Sequence, residues 1–305
     1  MRYTVVLTAE FPALATELLA PHFDVVAHPT EHDRSEDDVA TLLAEADAAI
    51  VLLSDPITRH VLESNPNLRI VSNFAVGYNN IDLAAARELG VTVTNTPGVL
   101  TEATADLTMA LILGITRRIV ESDAELRATG RCEWEPLAFL GASLQGKRLG
   151  IIGMGRIGSA VAHRARAFGM EIIGARRGDS LDELLATSDI VSLHVPLSQE
   201  THHLIDAAAL AKMKRDAYLI NTSRGPLVDE EALCDALERG TIRGAGLDVY
   251  EHEPRVHPRL LSMKNVVLLP HIGSATEEAR NAMARLAATN VLLFLRGSEP
   301  LHRVV

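Results

Sequence analysis

Short apolar runs alternate with helical patterns along most of this 305-residue chain. Five runs in its first third have the length and composition of buried strands: YTVVL, FDVVAH, AAIVLL, LRIVSN and VTVTN. Amphipathic segments such as PALATELLA and DDVATLLAEA separate them. Alternation of strands with helices is typical of a parallel sheet that helices cover on both faces. The chain is therefore predicted to be an α/β protein built on doubly wound parallel sheets.

The alternation is interrupted after NTPGV, where the pattern predicts one long helix over residues 101–129. A loop-like stretch follows at 130–147, and a second series of apolar runs then begins at KRLGIIG. It continues with MEIIGA, DIVSLHVP, AYLINTS, GAGLDV and NVVLLP, and the chain closes on the helical pattern TEEARNAMARLAATNVLLFLRG. We predict two parallel-sheet domains joined by the long helix, with a last helix long enough to return to the first domain.

Charge and composition exclude several classes of protein. The net charge is −11 and no Lys/Arg run is present, which argues against nucleic-acid binding. No apolar stretch reaches the length of a membrane span, and the first residues lack the apolar core of a signal peptide. Cys132 and Cys234 are isolated, so neither a disulfide framework nor a C-x-x-C metal site is predicted. We expect a cytoplasmic protein without a bound metal.

A glycine-rich turn opens the second series. The stretch GIIGMGRIG places Gly153, Gly155 and Gly158 between the strand RLGII and the helical pattern RIGSAVAHRARAFG. This is the spacing G-x-G-x-x-G in the strand–turn–helix context that dinucleotide binding requires. The glycines permit a tight turn, close approach of a pyrophosphate and close packing of helix on strand. The free backbone N–H groups at the start of the helix can donate hydrogen bonds to the phosphates of a dinucleotide.

Two cations stand where a dinucleotide-binding chain commonly carries an acid. The acid that holds the ribose of NAD is expected about 20 residues after the glycines, at the end of the next strand. This chain has Arg176 and Arg177 there, and Asp179 is the nearest acid. Guanidinium groups suit the oxygens of a 2′-phosphate. The favoured cofactor is therefore NADP, with NAD as the alternative.

Polar side chains follow three further strands of the second series, at the edge where ligands bind in open α/β sheets. Arg224 follows LIN, Glu251 and Glu253 follow GLDVY, and His271 follows VVLLP. An arginine can hold a carboxylate through two hydrogen bonds. A histidine beside a carboxylate can pass a proton to a carbonyl oxygen. These residue types predict a reaction on an anionic carbonyl compound, and spacing alone does not decide which glutamate takes part.

Seven motifs, in order from about residue 45 to the end, resemble a known family. They are NFAVGYNNID, VTNTPGVLTEATADL, WEPLAFLG, GIIGMGRIG, LINTSRGPLVDEEAL, AGLDVYEHEP and LPHIGSAT. The chain resembles the D-isomer-specific 2-hydroxyacid dehydrogenases, and within them most of all the glyoxylate/hydroxypyruvate reductases. The resemblance implies NAD(P)H-dependent reduction of glyoxylate or hydroxypyruvate to the D-2-hydroxy acid. It also implies a discontinuous flavodoxin-like substrate domain, 1–98 plus 281–305, and a Rossmann cofactor domain, 99–280.

The resemblance assigns roles to individual residues. Arg224 matches the substrate-binding arginine, Glu253 matches the glutamate that pairs with the histidine, and His271 matches the acid/base histidine. The substrate is expected to contact Val76, Gly77, Arg224 and His271, with Trp134 contributed by the partner subunit of a homodimer formed through the cofactor domain. The expected cofactor contacts are Thr104, Gly153, Met154, Gly155, Arg156, Ile157, Gly158, Arg176, Arg177, Val195, Pro196, Thr222, Ser223, Asp248 and Gly273.

One departure from the family pattern bears on the cofactor. Similar chains carry a longer excursion after the second cofactor strand, whereas here GDSLDELLATSDIV follows almost at once. This loop borders the adenosine 2′ position. Two other functions remain open: a 3-phosphoglycerate-type or other D-2-hydroxyacid dehydrogenase, and an NAD(H)-sensing binding protein of the same fold.

Overall fold

The computed structural model describes residues 2–305, and the apolar runs of the sequence form its strands. The elements of the first hundred residues are β1 Thr4–Leu7, α1 Leu14–Leu19, β2 Asp24–Ala27, α2 Glu36–Leu43, β3 Ala48–Val51, α3 Arg59–Ser64, β4 Ile70–Asn73, α4 Leu83–Leu89 and β5 Thr92–Thr94. Those that follow are α5 Thr101–Thr116, α6 Ile119–Thr129, β6 Arg148–Ile152, α7 Arg156–Ala167, β7 Glu171–Ala175, α8 Asp182–Thr187, β8 Ile190–Leu193, α9 Ala207–Lys212, β9 Tyr218–Asn221, α10 Glu230–Glu238, β10 Gly244–Leu247, α11 Pro258–Ser262, β11 Val266–Leu268 and α12 Glu277–Leu295.

The chain divides into two compact units. Unit 1 comprises Met1–Leu100 and Ser274–Val305, and unit 2 comprises Thr101–Gly273. Unit 1 is discontinuous because α12, the last helix, packs against α1 and β4 of the same unit. The side chain of Thr276 accepts a hydrogen bond from the backbone of Ala279 and so caps the start of α12.

Unit 1 is a five-stranded parallel sheet with strand order β2-β1-β3-β4-β5. This is the order of flavodoxin-like folds. The strands β3 and β4 are buried throughout, as expected for central strands that helices cover on both faces. The edge strand β5 is buried as well, and the backbones of Val304 and Val305 form hydrogen bonds with Val93 on its open side. The left-handed Gly90 ends α4 and turns the chain into β5, in agreement with the sequence.

Unit 2 is a six-stranded parallel sheet with strand order β11-β10-β9-β8-β6-β7. One apolar core lies under α5 and α7 and includes Ile112, Val161 and Ile220. The core on the opposite face lies under α8 to α11 and includes Leu185 and Leu233. Successive connections leave β6 in opposite directions, so a crevice opens at the carboxyl ends of β6 and β8, where such sheets bind ligands.

The short connection after β7 makes β7 the edge strand of the unit 2 sheet. Residues 176–189 contain only α8 and return directly to β8, which lies on the far side of β6. The first four residues of β7 are consequently exposed or half-buried, whereas β8 and β9 are buried throughout.

The predicted long helix over residues 101–129 is wrong, because the structure contains two helices there, α5 and α6. Arg118 has a φ of +54°, in the left-handed region that a continuous α-helix excludes. The carbonyl of Thr116 accepts a hydrogen bond from the backbone of Ala142 instead of from the next helical turn. Charged and apolar residues continue with helical spacing across the break, so the pattern alone carried no sign of it.

Among residues 2–305, no helix is both long enough and apolar enough to cross a membrane.

Candidate active site

The glycine turn after β6 has the geometry of a phosphate-binding loop. A Cβ on Gly158 would lie 2.1 Å from the carbonyl oxygen of Gly153, so only glycine lets α7 approach β6 this closely. Gly153 has a φ of +103°, and a Cβ there would lie 2.5 Å from the carbonyl oxygen of His194. At Gly155 a Cβ would instead project into open space, which leaves the backbone accessible to a ligand. These features fit a dinucleotide pyrophosphate.

A helix N-terminus and a cleft adjoin this turn. Arg156 and Ile157 begin the twelve-residue α7, whose first N–H groups suit phosphate oxygens, and Met154 packs over Gly174 of β7. The cleft has a volume of about 530 Å³. Four predicted cofactor contacts line it, and Asp179, Glu200 and Thr201 do so as well. The four are Arg176, Arg177, Val195 and Pro196.

The two arginines at the rim of the cleft have acidic neighbours. The backbone N–H of Arg176 donates to Oδ2 of Asp179 over 2.8 Å. An Nη atom of Arg177 lies 2.6 Å from Oε2 of Glu200, and both side chains are largely exposed. An ion pair this exposed contributes little to stability, so its partners can be exchanged at small cost. Glu200 was not anticipated from the sequence.

His194 directly follows β8 and is half-buried. Burial lowers the pKa of His194 to about 4. The ring is therefore neutral at physiological pH, and it shares a hydrogen bond of 2.9 Å with the Ser192 hydroxyl. This hydrogen bond satisfies one ring nitrogen of His194 within the chain.

Glu253 and His271 form a hydrogen-bonded pair at the same edge of the sheet. Nδ1 of His271 lies 2.9 Å from Oε2 of Glu253, and both side chains are partly exposed. Oε1 of Glu253 accepts a hydrogen bond of 2.9 Å from the backbone of Tyr250. Partial burial raises the pKa of Glu253, but hydrogen bonds from His271 and Tyr250 and the charge of Arg224 outweigh it and lower the pKa overall. The carboxylate is therefore ionised at neutral pH.

The backbone around His271 is held in an unusual conformation by Asp248. His271 has a φ of +54°, which is uncommon for a side chain of this size. Its N–H donates to the Asp248 carbonyl over 2.9 Å. The two carboxylate oxygens of Asp248 accept from the backbones of Ile272 and Gly273 over 2.7 and 2.8 Å. These bonds offset the strain and fix the direction of the imidazole.

Arg224 lies on the loop after β9, and the residue that follows it, Gly225, packs closely against the backbone of Tyr250. Its Nη1 donates to the Ser223 carbonyl over 2.7 Å, and burial lowers the pKa of its guanidinium, an effect that the charge of Glu253 opposes. A Cβ on the next residue, Gly225, would lie 1.8 Å from the Tyr250 carbonyl. Tyr250 also donates its hydroxyl to the Leu269 carbonyl over 2.8 Å. Gly225 and Tyr250 thus join the loops that carry Arg224, Glu253 and His271.

A chain of hydroxyl groups links the other predicted cofactor contacts. Thr104 donates to the Gly273 carbonyl over 3.1 Å. Thr108 donates to the Thr104 carbonyl over 2.8 Å, and its hydroxyl lies 2.9 Å from that of Thr222. Ser223 donates to the Val195 carbonyl over 2.6 Å. Thr104, Thr222, Ser223 and Gly273 therefore share one connected framework within unit 2, and Thr108 is a member that sequence reasoning missed.

The predicted substrate loop of unit 1 is held by two asparagines. The Asn95 amide donates to the Val76 carbonyl over 2.7 Å, and the Asn73 amide donates to the Gly77 carbonyl over the same distance. Asn73 is fully buried at the end of β4. The backbone of Val76 and Gly77 is therefore fixed by side chains that the sequence did not single out. Trp134, in unit 2, is 87% exposed.

Comparison with known proteins decides the family. The family model "D-isomer specific 2-hydroxyacid dehydrogenase, NAD binding domain" matches residues 109–273. The glyoxylate reductase of Thermococcus litoralis is 45% identical, over 98% of this chain and 96% of its own length. The chain belongs to the D-isomer-specific 2-hydroxyacid dehydrogenase family.

Solved structures agree with this placement of the dehydrogenase. A protein from Thermus thermophilus superposes with a TM-score of 0.93 at 43% identity, covering 99% of this chain and all of its own. The NADPH-dependent glyoxylate/hydroxypyruvate reductase of Sinorhizobium meliloti, in complex with NADP and malonate, has a TM-score of 0.87 at 34% identity, covering 100% of this chain and 97% of its own. The chain is an NAD(P)-dependent oxidoreductase that acts on CH–OH groups, with a Rossmann dinucleotide domain in unit 2.

The ionised Glu253 leads to a prediction for the dehydrogenase. Glu253→Gln removes the ionised carboxylate that contacts Nδ1 of His271, and with it the interaction that lowers the pKa of Glu253. The pH profile of kcat should therefore shift. Stopped-flow or steady-state rates between pH 5 and 10 measure the shift. Glu183→Gln, an exposed glutamate on α8, serves as control, and an unmoved profile in Glu253→Gln would contradict the pairing.

Proposed function

We propose that the protein reduces a small 2-keto acid, glyoxylate or hydroxypyruvate, to the D-2-hydroxy acid with NADPH as the preferred cofactor. The observation that carries the proposal is the 2.9 Å hydrogen bond between His271 and Glu253, at the edge of the sheet that also bears the glycine turn. His271 donates a proton to the keto oxygen, and Glu253 holds the ring in place through its contact with Nδ1. Arg224 binds the substrate carboxylate. The bound cofactor supplies the hydride.

The substrate class is supported by relatives and by the chemistry of the site. The Thermococcus litoralis relative is named a glyoxylate reductase, and the Sinorhizobium meliloti relative a glyoxylate/hydroxypyruvate reductase. The guanidinium of Arg224, beside the carboxylate–histidine pair, suits a small anion that carries a carbonyl next to its carboxylate.

The test is a panel of 2-keto acids assayed with NADH and with NADPH. Glyoxylate and hydroxypyruvate should give the highest kcat/KM, and hydroxypyruvate should yield the D-isomer of glycerate. A higher kcat/KM for 3-phosphohydroxypyruvate would favour a phosphoglycerate-type dehydrogenase instead. Negligible turnover of every 2-keto acid, with tight NAD(H) binding, would favour a sensing protein.

The preference for NADPH rests on the end of β7. Ala175 is the last residue of the strand, and Arg176 and Arg177 follow it at the rim of the 530 Å³ cleft. A charged hydrogen bond contributes about 1.5–3 kcal/mol, and exposure at the rim reduces that value. Asp179 and Glu200 oppose a phosphate here, so we expect a preference of roughly 10–100-fold.

The double variant Arg176→Ala, Arg177→Ala tests this cofactor preference. KM for NADPH should rise by roughly 10–100-fold, because two cations near the 2′-phosphate are lost, while KM for NADH changes little. Arg166→Ala, Arg215→Ala removes two exposed arginines elsewhere in unit 2 and is the matched control. Equal weakening of both cofactors, or a wild type that prefers NADH, would refute the preference.

We further propose a homodimer formed through unit 2. The eleven-residue α6 buries none of its side chains, and a helix of this length is marginal without packing partners. Exposed apolar side chains continue into the following loop, where Trp134 is 87% and Leu137 79% exposed. Apolar residues grouped in this way are characteristic of a subunit interface. A second copy of the chain would cover them.

The homodimer predicts a specific response to charge. Leu137→Asp places a carboxylate in the proposed interface and should convert the protein from twice the chain mass to a monomer, as measured by sedimentation velocity. Leu261→Asp changes an equally apolar, exposed side chain on α11 and should leave the mass unchanged. A wild type that sediments as a monomer at micromolar concentration would overturn the proposal.

A further inference from the structure

Three metal-ligating side chains meet on unit 2 apart from the Glu253–His271 pair. One ligand atom from each of His202, His203 and Glu251 lies within 4.8 Å of the other two. Nε2 of His203 is 2.6 Å from Oε1 of Glu251, and the two imidazole rings have centroids 4.0 Å apart. His202 is exposed, whereas His203 and Glu251 are partly buried. Two nitrogen donors and one carboxylate oxygen are a donor set typical of zinc sites.

The carboxylate of Glu251 is fixed in place by hydrogen bonds with Glu230. The backbone of Glu230 donates to Oε2 of Glu251 over 3.2 Å, and the backbone of Glu251 donates to Oε1 of Glu230 over 2.8 Å. Oε2 of Glu230 is buried and has no hydrogen-bond partner among residues 2–305. This reciprocal contact leaves Oε1 of Glu251 directed at the histidine and fixes its orientation, as outer contacts do in metal sites.

The backbone of His203 is likewise fixed. Its φ is +50°, in the left-handed region, and its N–H donates to the Pro226 carbonyl over 2.8 Å. A ligand held on a rigid backbone loses little freedom when it binds a metal. His202 is the exposed member of the three, and one of its ring nitrogens already lies within 4.8 Å of the ligand atoms of the other two.

We propose that His202, His203 and Glu251 bind one divalent transition-metal ion, with Zn²⁺ the best match to these donors. Zinc–ligand bonds of about 2.0–2.2 Å in tetrahedral geometry put neighbouring ligand atoms roughly 3.3 Å apart. The His203–Glu251 pair therefore needs to open by less than 1 Å from its 2.6 Å separation. The ion replaces the proton shared by this pair, and that proton is released to solvent. The fourth position is left to water.

The experiment uses full-length, untagged protein carrying Cys132→Ser, because Cys132 is an exposed thiol that would compete for zinc. Zinc is titrated in competition with a chromophoric chelator. We expect one Zn²⁺ per chain, and His202→Ala should weaken this binding by on the order of 100-fold. Co²⁺ should give the visible absorption of a four-coordinate site, and Mg²⁺ should not displace zinc, because nitrogen donors do not suit it.

Two variants show whether zinc binds at these three residues or at other histidines of the chain. His32→Ala removes an exposed histidine of unit 1, and His271→Ala removes the histidine of the proposed active site; both should retain the zinc equivalent. Zinc should also raise the melting temperature of these variants by several degrees at a hundredfold excess over Kd, but not that of His202→Ala. Zinc binding that is unaffected by His202→Ala, or lost in His271→Ala, or absent from the parent protein, would overturn the proposal. None of these outcomes depends on keto-acid turnover.

Discussion

Replacing His271 with alanine is expected to lower kcat for 2-keto acid reduction by roughly 10²–10⁴-fold, the usual contribution of a positioned general acid. The ring is oriented by Glu253 at 2.9 Å, and its backbone is held by the Asp248 carbonyl. Alanine removes the proton donor without disturbing Asp248, whose carboxylate bonds Ile272 and Gly273 through their backbones. Cofactor affinity should therefore survive, and fluorescence titration with NADPH measures it alongside kcat.

The control for this variant is His163→Ala, since His163 is exposed on α7, away from the strand ends. Its kcat should match the wild type. A His271→Ala enzyme with near-normal kcat on its best substrate would remove His271 from the mechanism. Loss of NADPH binding together with activity would instead indicate a structural role.

Gly225→Ala is expected to destabilise unit 2 and to reduce activity together. The new methyl carbon would lie 1.8 Å from the carbonyl of Tyr250 and 2.4 Å from the backbone nitrogen of Glu251. Both neighbours are backbone atoms, so the whole 250–253 segment must move. We expect a loss of about 3 kcal/mol in the free energy of unfolding, the upper part of the range for overpacking. Urea denaturation followed by circular dichroism measures this change.

Gly114→Ala is the matched control, because it adds the same methyl group inside α5. The nearest heavy atom to its Cβ would be 4.0 Å away, on Val267. Alanine favours a helix over glycine by about 1 kcal/mol, so this variant should be as stable as the wild type or more stable. If Gly225→Ala unfolded at the same urea concentration as Gly114→Ala, the contact with Tyr250 would not constrain the fold.

Much of the fold could be predicted from the sequence, because its signals are local. Strands buried on both faces form continuous apolar runs. The glycines of the turn after β6 recur at a fixed spacing because a side chain at Gly153 or Gly158 would clash with neighbouring backbone atoms. The choice between Glu251 and Glu253 was different: both follow the same strand, and only the family resemblance favoured Glu253. The structure supplies the physical distinction, since Glu253 contacts His271, whereas Glu251 contacts His203.

Features that depend on distant contacts could not be predicted. The break between α5 and α6 is stabilised by Ala142, far along the chain from Thr116, and helical periodicity continues across it. The hydrogen bond from Asn95 to Val76 and the Tyr250 contact with Gly225 likewise join segments well separated in sequence. Periodicity reports which side of an element faces inward, but not which partner its backbone atoms meet.

The position of β7 at the edge of its sheet has a consequence for how enzymes of this type diverge. The residues that follow it, 176–179, lie at the rim of a cleft and are largely exposed, so they contribute little to the core. Substitutions there alter the electrostatics of one subsite at small cost in folding stability. A few substitutions there can therefore change which dinucleotide this subsite favours, while the buried strands beside it keep the same fold.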